Sequence, residues 1–244
     1  MALAVTATAA PTPLRGSPGT LGGVTNHKQQ DHDHHGPGGD APTSPEVIGW
    51  EAWYAAQQQV WSGQVNGVVA AELAGVAPGR VLDVGCGEGG DAVWLAAQGW
   101  DVTAVDVAAA ALERGRAAAR AAGVEVRWVQ ADLAGDAPDL GTYDVVSVQY
   151  PALPRTPDED AIRTVLASVA PGGILLATWH ADMDAEHARS RGFELEDFVQ
   201  RADVVAHLDE AWVIEVDEAR ERVAPPGQGS HHTRDLVLRA RRAR

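Results

Sequence analysis

The chain has 244 residues, of which 45% are hydrophobic, and carries a formal net charge of −15 at pH 7. That length supports one large domain with a proper core. The acidic balance argues against a phosphate-binding surface, because nucleic-acid binders present basic patches.

Along the chain, residues 1–43 are rich in Ala, Pro, Thr, Gly, His and Asp and hold almost no periodic apolar pattern, so a disordered tail is expected there. Within it, Asp31-His32-Asp33-His34-His35 has metal-ligand chemistry, and His231-His232 could join it. Clustered histidines on a Gly-Pro segment are usually solvated, and no metal is assigned. A single domain is expected over residues 44–244. A first helix is predicted near Ser44-Pro45-Glu46, with Ser as cap and Pro in the first turn. A second is predicted over Asn66–Ala74. Strands and helices then alternate: strand Arg80–Val84, helix Asp91–Gln98, strand Asp101–Val105, helix Ala108–Ala122, third strand Val124–Val129. A fourth strand from Tyr143, a helix over Asp158–Val169 and a fifth strand over Gly173–Trp179 follow. Asp209–Val216 reads as a late strand and Asp235–Ala240 as a last, antiparallel one. This alternation predicts a parallel sheet wrapped by helices. The basic end, Arg239 to Arg244, reads as a solvated terminus. The one cysteine, Cys86, cannot close an internal disulfide, which is consistent with a reducing, cytoplasmic compartment. No apolar run approaches the ~20 residues that span a bilayer, and Met1–Ala10 makes a poor signal peptide.

The densest chemistry lies in Val81-Leu82-Asp83-Val84-Gly85-Cys86-Gly87-Glu88-Gly89-Gly90-Asp91. It reads as a buried strand, a glycine turn and a helix start. Gly85, Gly87 and Gly89 allow positive φ and remove the Cβ that would block a ligand. Backbone N–H groups at the helix start then face that ligand. The run also satisfies G-x-G-x-x-G, which alone is a weak dinucleotide signal. Asp83 discriminates: a carboxylate there repels a pyrophosphate but suits the ammonium and sulfonium of S-adenosylmethionine. Asp106, at the end of the second strand, is placed to bond ribose hydroxyls with both oxygens. Its carboxylate is expected in a solvent-filled cleft, with Val107 packing on the adenine.

These residues resemble the class I S-adenosylmethionine-dependent methyltransferases, over about residues 45 to 240. Further matches follow in order: Ala131-Asp132-Leu133, then Tyr143 to Pro151, then Ala170-Pro171-Gly172-Gly173. The resemblance implies a Rossmann-like α/β fold with a mostly parallel seven-stranded sheet, helices on both faces and an antiparallel last strand. It implies that Asp132 reaches the adenine amino group and that Leu133 offers its backbone to the ring. Trp53-Tyr54 and Trp61-Ser62-Gly63 look like the tellurite-resistance and thiopurine methyltransferase group, in which an aromatic segment folds over the cofactor. The expected cofactor contacts are Trp61, Asp83, Gly85, Cys86, Gly87, Glu88, Gly89, Asp106, Val107, Asp132, Leu133 and Gln149. Cys86 reads as a small spacer rather than a reactive thiol.

On the acceptor side, His180 ends the fifth strand and could act as general base or orient the nucleophile. Tyr150 holds the matching place after the fourth strand, and Ala181–Gly192 is a candidate substrate lid. The implied reaction is in-line attack of a small-molecule heteroatom on the cofactor's methyl carbon. A soft sulfur, selenium or tellurium nucleophile would need little base assistance. Three other readings stay open: an NAD-dependent oxidoreductase, a non-catalytic cofactor- or metal-binding protein on the same fold, and an enzyme that binds S-adenosylmethionine but catalyses different chemistry.

Overall fold

The computed structural model describes residues 49–135, 137–183, 185–190, 194–223 and 232–244. The chain divides into two units, Met1–Gly38 and Gly39–Arg244, and all described residues lie in the second. The predicted tail, the helix start at Ser44-Pro45-Glu46 and the Asp31–His35 cluster lie outside the described residues.

Among the described residues, seven strands form one sheet in the order β3-β2-β1-β4-β5-β7-β6. They are β1 (Arg80–Val84), β2 (Asp101–Asp106), β3 (Arg127–Gln130), β4 (Tyr143–Gln149), β5 (Val169–His180), β6 (Trp212–Glu221) and β7 (Arg234–Arg242). The first five are mutually parallel, whereas β7 runs antiparallel to both β5 and β6. The helices are α1 (Trp50–Ala55), α2 (Gly67–Glu72), α3 (Gly90–Ala97), α4 (Ala109–Ala122), α5 (Asp160–Ala167), α6 (Ala185–Ser190) and α7 (Arg201–Ala206).

Alternation along β1 sets the two faces. Leu82 and Val84 join one apolar cluster with Ile162 and Val165 of α5 and Val204 of α7. Val81 joins the other, with Val68 and Val69 of α2 and Ala92 and Leu95 of α3. Each fully buried leucine or valine of this kind contributes about 1.5–3 kcal/mol. Both faces of the central strands are covered, so β1, β4 and β5 carry near-continuous apolar runs.

Some boundaries differ from those predicted, for local reasons. The third strand begins at Arg127 rather than Val124 because Gly123 closes α4 at φ +69° and Val124 N–H still bonds the Ala119 carbonyl. The fifth strand starts at Val169, ahead of Pro171, and its register against β4 shifts between Tyr143 and Val145. The late strand is displaced to 212–221, because its partner β7 is nine residues long and pairs along that whole length. The strand order reverses between β1 and β4, which places a crevice at the carboxyl ends of those two strands.

Candidate active site

The turn after β1 occupies that crevice. Gly85 and Cys86 both donate their N–H groups to the Val105 carbonyl, at 2.8 and 3.1 Å. That anchors the turn to the neighbouring strand. Gly85 has φ +66°, and a Cβ built on it would meet nothing within 4 Å. The cradle beside it is therefore open. Gly89, at φ +79°, differs: a Cβ there would lie 2.4 Å from Cη2 of Trp128. One glycine leaves room outside the protein, and the other admits a neighbour inside it.

Among the described residues, three buried aspartates, Asp83, Asp91 and Asp106, surround the turn, which itself carries the buried Glu88. Asp83 is 2% exposed, and its Oδ2 has no hydrogen-bond partner among the described residues. Burial, then the charges of Asp91 and Asp106, push its acid well above the usual carboxylate range. Asp91 accepts the Asn66 backbone N–H at 2.6 Å and the Asn66 side-chain amide at 2.8 Å. Asp106 accepts the Gly87 N–H at 2.8 Å and the Ala108 N–H at 2.9 Å. Its side chain is not in a solvent-filled cleft: the residue is 9% exposed, and burial raises its acid although the two N–H bonds oppose the shift. The tie to Gly87 draws the carboxylate into the turn.

Residues 81–173 match the family model of the methyltransferase domain. The chain is 37% identical over 123 residues to the ribosomal RNA small subunit methyltransferase C of Chromohalobacter salexigens, covering 48% of this chain and 36% of that protein. It is 38% identical over 96 residues to the ubiquinone biosynthesis O-methyltransferase of Vibrio parahaemolyticus, covering 38% of this chain and 40% of that protein. The chain thus spans less than half the length of these curated relatives. Its fold is similar to that of TehB from Haemophilus influenzae, with a TM-score of 0.57 and 14% identity over 80% of this chain and 67% of that one. Residues 81–173 are thus similar to a methyltransferase domain.

The other sequence-predicted residues fall into three places. Val107, 39% exposed, and the exposed Asp132 follow β2 and β3, whose ends are joined by the bond from Ala131 N–H to the Asp106 carbonyl. Asp132 accepts the Ala134 N–H at 2.9 Å and closes a short turn. Leu133 is buried in the core. Cys86 is partly buried, and burial followed by the charges of Asp83 and Asp106 pushes its thiol up, which suits a spacer rather than a nucleophile.

Glu88 and Trp61 belong to a second group; the sequence places Trp61 with Tyr54 in one aromatic segment but joins neither to Arg114. Glu88 is 7% exposed and takes the Val60 and Trp61 N–H groups and the Arg114 guanidinium. Trp61 is 52% exposed and donates its indole N–H to the Tyr54 hydroxyl at 2.9 Å. Arg114 lies mid-helix, where an arginine ordinarily reads as a solvated face.

Gln149, Tyr150 and His180 form the third group, at the ends of β4 and β5. Gln149 donates its side-chain amide to Ser147 Oγ and to the Leu176 carbonyl, while its Oε1 is buried without a partner. Tyr150 holds φ +49°, in the left-handed region that non-glycine residues seldom occupy. Its ring stacks on His180 at 4.4 Å, and His180 stacks on His232 at 3.9 Å. The Tyr150 hydroxyl donates to Asp235 at 2.9 Å, and Arg222 lies 4.7 Å from the ring centre. His232 bonds Asp182 at 2.8 Å through Nδ1. Asp182 is held down at about 2: desolvation opposes this, but the Thr233 N–H and the His232 ring outweigh it. Burial, then the nearby His232 and Arg222, lower His180 to about 3. The sequence did not mark Asp235 and Asp182 as site residues; the available signal was a carboxylate directly before the apolar run Leu236-Val237-Leu238 of β7. Of the predicted lid, 185–190 is the helix α6.

Proposed function

We propose that this domain transfers a methyl group to a small-molecule acceptor by in-line attack, and that the acceptor atom is a soft sulfur, selenium or tellurium nucleophile. The observation that carries the cofactor half is the unpartnered Oδ2 of buried Asp83, beneath a turn whose Gly85 leaves open space. An unsatisfied buried carboxylate oxygen favours a cationic partner. A pyrophosphate brings no cationic or proton-donating group to the unpartnered Asp83 oxygen, so a nicotinamide dinucleotide is disfavoured.

The residues fit S-adenosylmethionine on these grounds. Asp83 would hold the ammonium group. Asp106 has lone pairs beyond the two that accept N–H bonds, and these would take the ribose hydroxyls. Val107 and Asp132, side by side after β2 and β3, would flank the adenine. When bound, the sulfonium supplies an electrophilic methyl group, so the protein's part is alignment and exclusion of water. Orientation of this kind is worth about 7–11 kcal/mol.

The acceptor half rests on the groups beside the crevice. Tyr150 commits its proton to Asp235, and desolvation raises its phenol above the ordinary range. His180, lowered to about 3, stays neutral at physiological pH and is a weak proton acceptor. Neither group is built to ionise a resistant hydroxyl. Their role here is to shape and orient, which suits an acceptor that arrives already anionic. The net charge of −15 disfavours RNA as acceptor, although one relative is named for ribosomal RNA. Among the described residues no helix is long and apolar enough to cross a membrane. The free Cys86 suits a reducing compartment such as the cytoplasm.

The test is transfer of labelled methyl from S-adenosylmethionine to arylthiols, selenide, phenols and ribosomal RNA. Labelling of the thiol or selenide above the phenol is expected. Labelling of ribosomal RNA alone would overturn the acceptor assignment.

A further inference from the structure

We infer that Glu88 and Arg114 are positioning residues for the cofactor site: they clamp the segment 57–61 onto the glycine turn and act without touching the ligand. This rests on the cofactor reading given above. Glu88 follows Gly87 directly, so its backbone is part of the turn. Its carboxylate accepts the Val60 N–H at 3.0 Å and the Trp61 N–H at 2.8 Å. It also pairs with Nη1 of Arg114, from the middle of α4, at 2.6 Å. The other arm of Arg114 donates to the Tyr54 carbonyl at 2.5 Å and to the Gln57 carbonyl. One ion pair thus gathers the turn, α4 and the end of α1.

The clamp has a geometric consequence at the turn. With the segment seated, a Cβ built on Gly87 would lie 2.9 Å from the Tyr54 hydroxyl and 3.2 Å from Trp61 Nε1. Tyr54 and Trp61 therefore wall the turn from one side. The two flanks of the segment have their own ties: Glu51 accepts the Ala110 N–H and Asp91 accepts the Asn66 N–H. Between them, Trp61 is 52% exposed and Val60 is only partly buried against the small Tyr54, Ala108 and Ala111 cluster, so the Glu88 bonds are the polar ties that hold the middle in place.

Linkage then follows. If the site is competent only with the segment seated, the apparent dissociation constant rises by the inverse of the seated fraction. Glu88→Gln leaves the Arg114 charge uncompensated in a largely buried pair, and Arg114→Lys keeps the charge but loses the arm that holds the Tyr54 and Gln57 carbonyls; both disfavour the seated form. Ligand binding and seating should stabilise each other reciprocally.

The experiment uses the full chain, with S-adenosylhomocysteine as probe, comparing wild type, Glu88→Gln and Arg114→Lys. Circular dichroism checks folding, and Arg114→Lys decides if Glu88→Gln does not fold. Calorimetry is expected to give roughly tenfold weaker binding in the variants, corresponding to a seated fraction near one tenth. Hydrogen exchange at the Val60 and Trp61 amides should quicken in unliganded Arg114→Lys and regain protection with the ligand. Unchanged affinity in folded variants, or weakened affinity with wild-type amide protection, would overturn the inference while leaving the cofactor reading intact. Failure of the wild type to bind the probe would overturn the cofactor reading itself, and the inference with it.

Discussion

Asp106 accepts the N–H of Gly87 at 2.8 Å, so the end of β2 is tied to the middle of the glycine turn. The same carboxylate holds the Ala108 N–H, just before α4. Two elements of the cofactor crevice are therefore set by one side chain.

Asp106→Ala should lower both ligand affinity and the stability of the unliganded protein. Hydrogen bonds to a charged group are worth about 1.5–3 kcal/mol, and the substitution leaves two N–H groups without their acceptor. Urea denaturation should register a stability loss of about that size, and calorimetry a roughly ten- to hundredfold weaker binding of S-adenosylhomocysteine. Unchanged stability would mean the turn holds its shape without this carboxylate.

Two glycines of the turn should respond differently to alanine. Gly85→Ala costs the left-handed backbone about 1–2 kcal/mol and meets no neighbour within 4 Å. It should fold and lose ligand binding, because its methyl enters the open cradle. Gly89→Ala drives a methyl to 2.4 Å from Trp128 and should lose more stability than Gly85→Ala. Thermal denaturation and calorimetry on the pair check the contrast. Wild-type affinity in Gly85→Ala would place the ligand elsewhere.

The fold was largely readable because β1, β2, β4 and β5 carry apolar runs bounded by glycine turns, and their period is local. The glycine turn was readable as a turn for the same reason: positive φ at Gly85, Gly87 and Gly89 calls for that residue type at fixed spacing. What escaped depends on long-range contact. Arg114 lies 26 positions from Glu88, and Asp235 lies 85 positions from Tyr150. No local pattern announces such pairs. The commitment of the Glu88 oxygens to Val60, Trp61 and Arg114 likewise follows from how the 57–61 segment packs.

Stability should depend on His180 in acid. Its folded-state value is about 3, set by burial first and then by His232 and Arg222, whereas an unfolded histidine titrates near ~6.5. Between those values the unfolded chain binds more protons, so stability falls as pH drops from ~6.5 toward 3. Asp182 opposes the shift and Tyr150 stacks on the ring, so both neighbours stay in place for the comparison. His180→Gln should flatten this part of the profile, read from urea midpoints at several pH values. An identical acid slope in the variant would show that His180 is not held neutral.

Ligand binding should release a proton through Asp83. Burial, Asp91 and Asp106 raise its acid, and a cationic ligand favours its ionised form. Affinity should therefore rise with pH across the range in which Asp83 loses its proton. Calorimetry in buffers of different ionisation enthalpy should show proton release that disappears in Asp83→Asn. Buffer-independent heats in the wild type would contradict this role.

The most direct test of the central claim is parallel calorimetry of the full chain with S-adenosylhomocysteine and NAD. Binding of S-adenosylhomocysteine at micromolar dissociation constant or tighter, about −8 kcal/mol, with far weaker NAD binding, is the expected result. NAD binding of equal or greater strength would contradict a crevice in which Asp83 and Asp106 select a ligand that carries an ammonium group and a ribose.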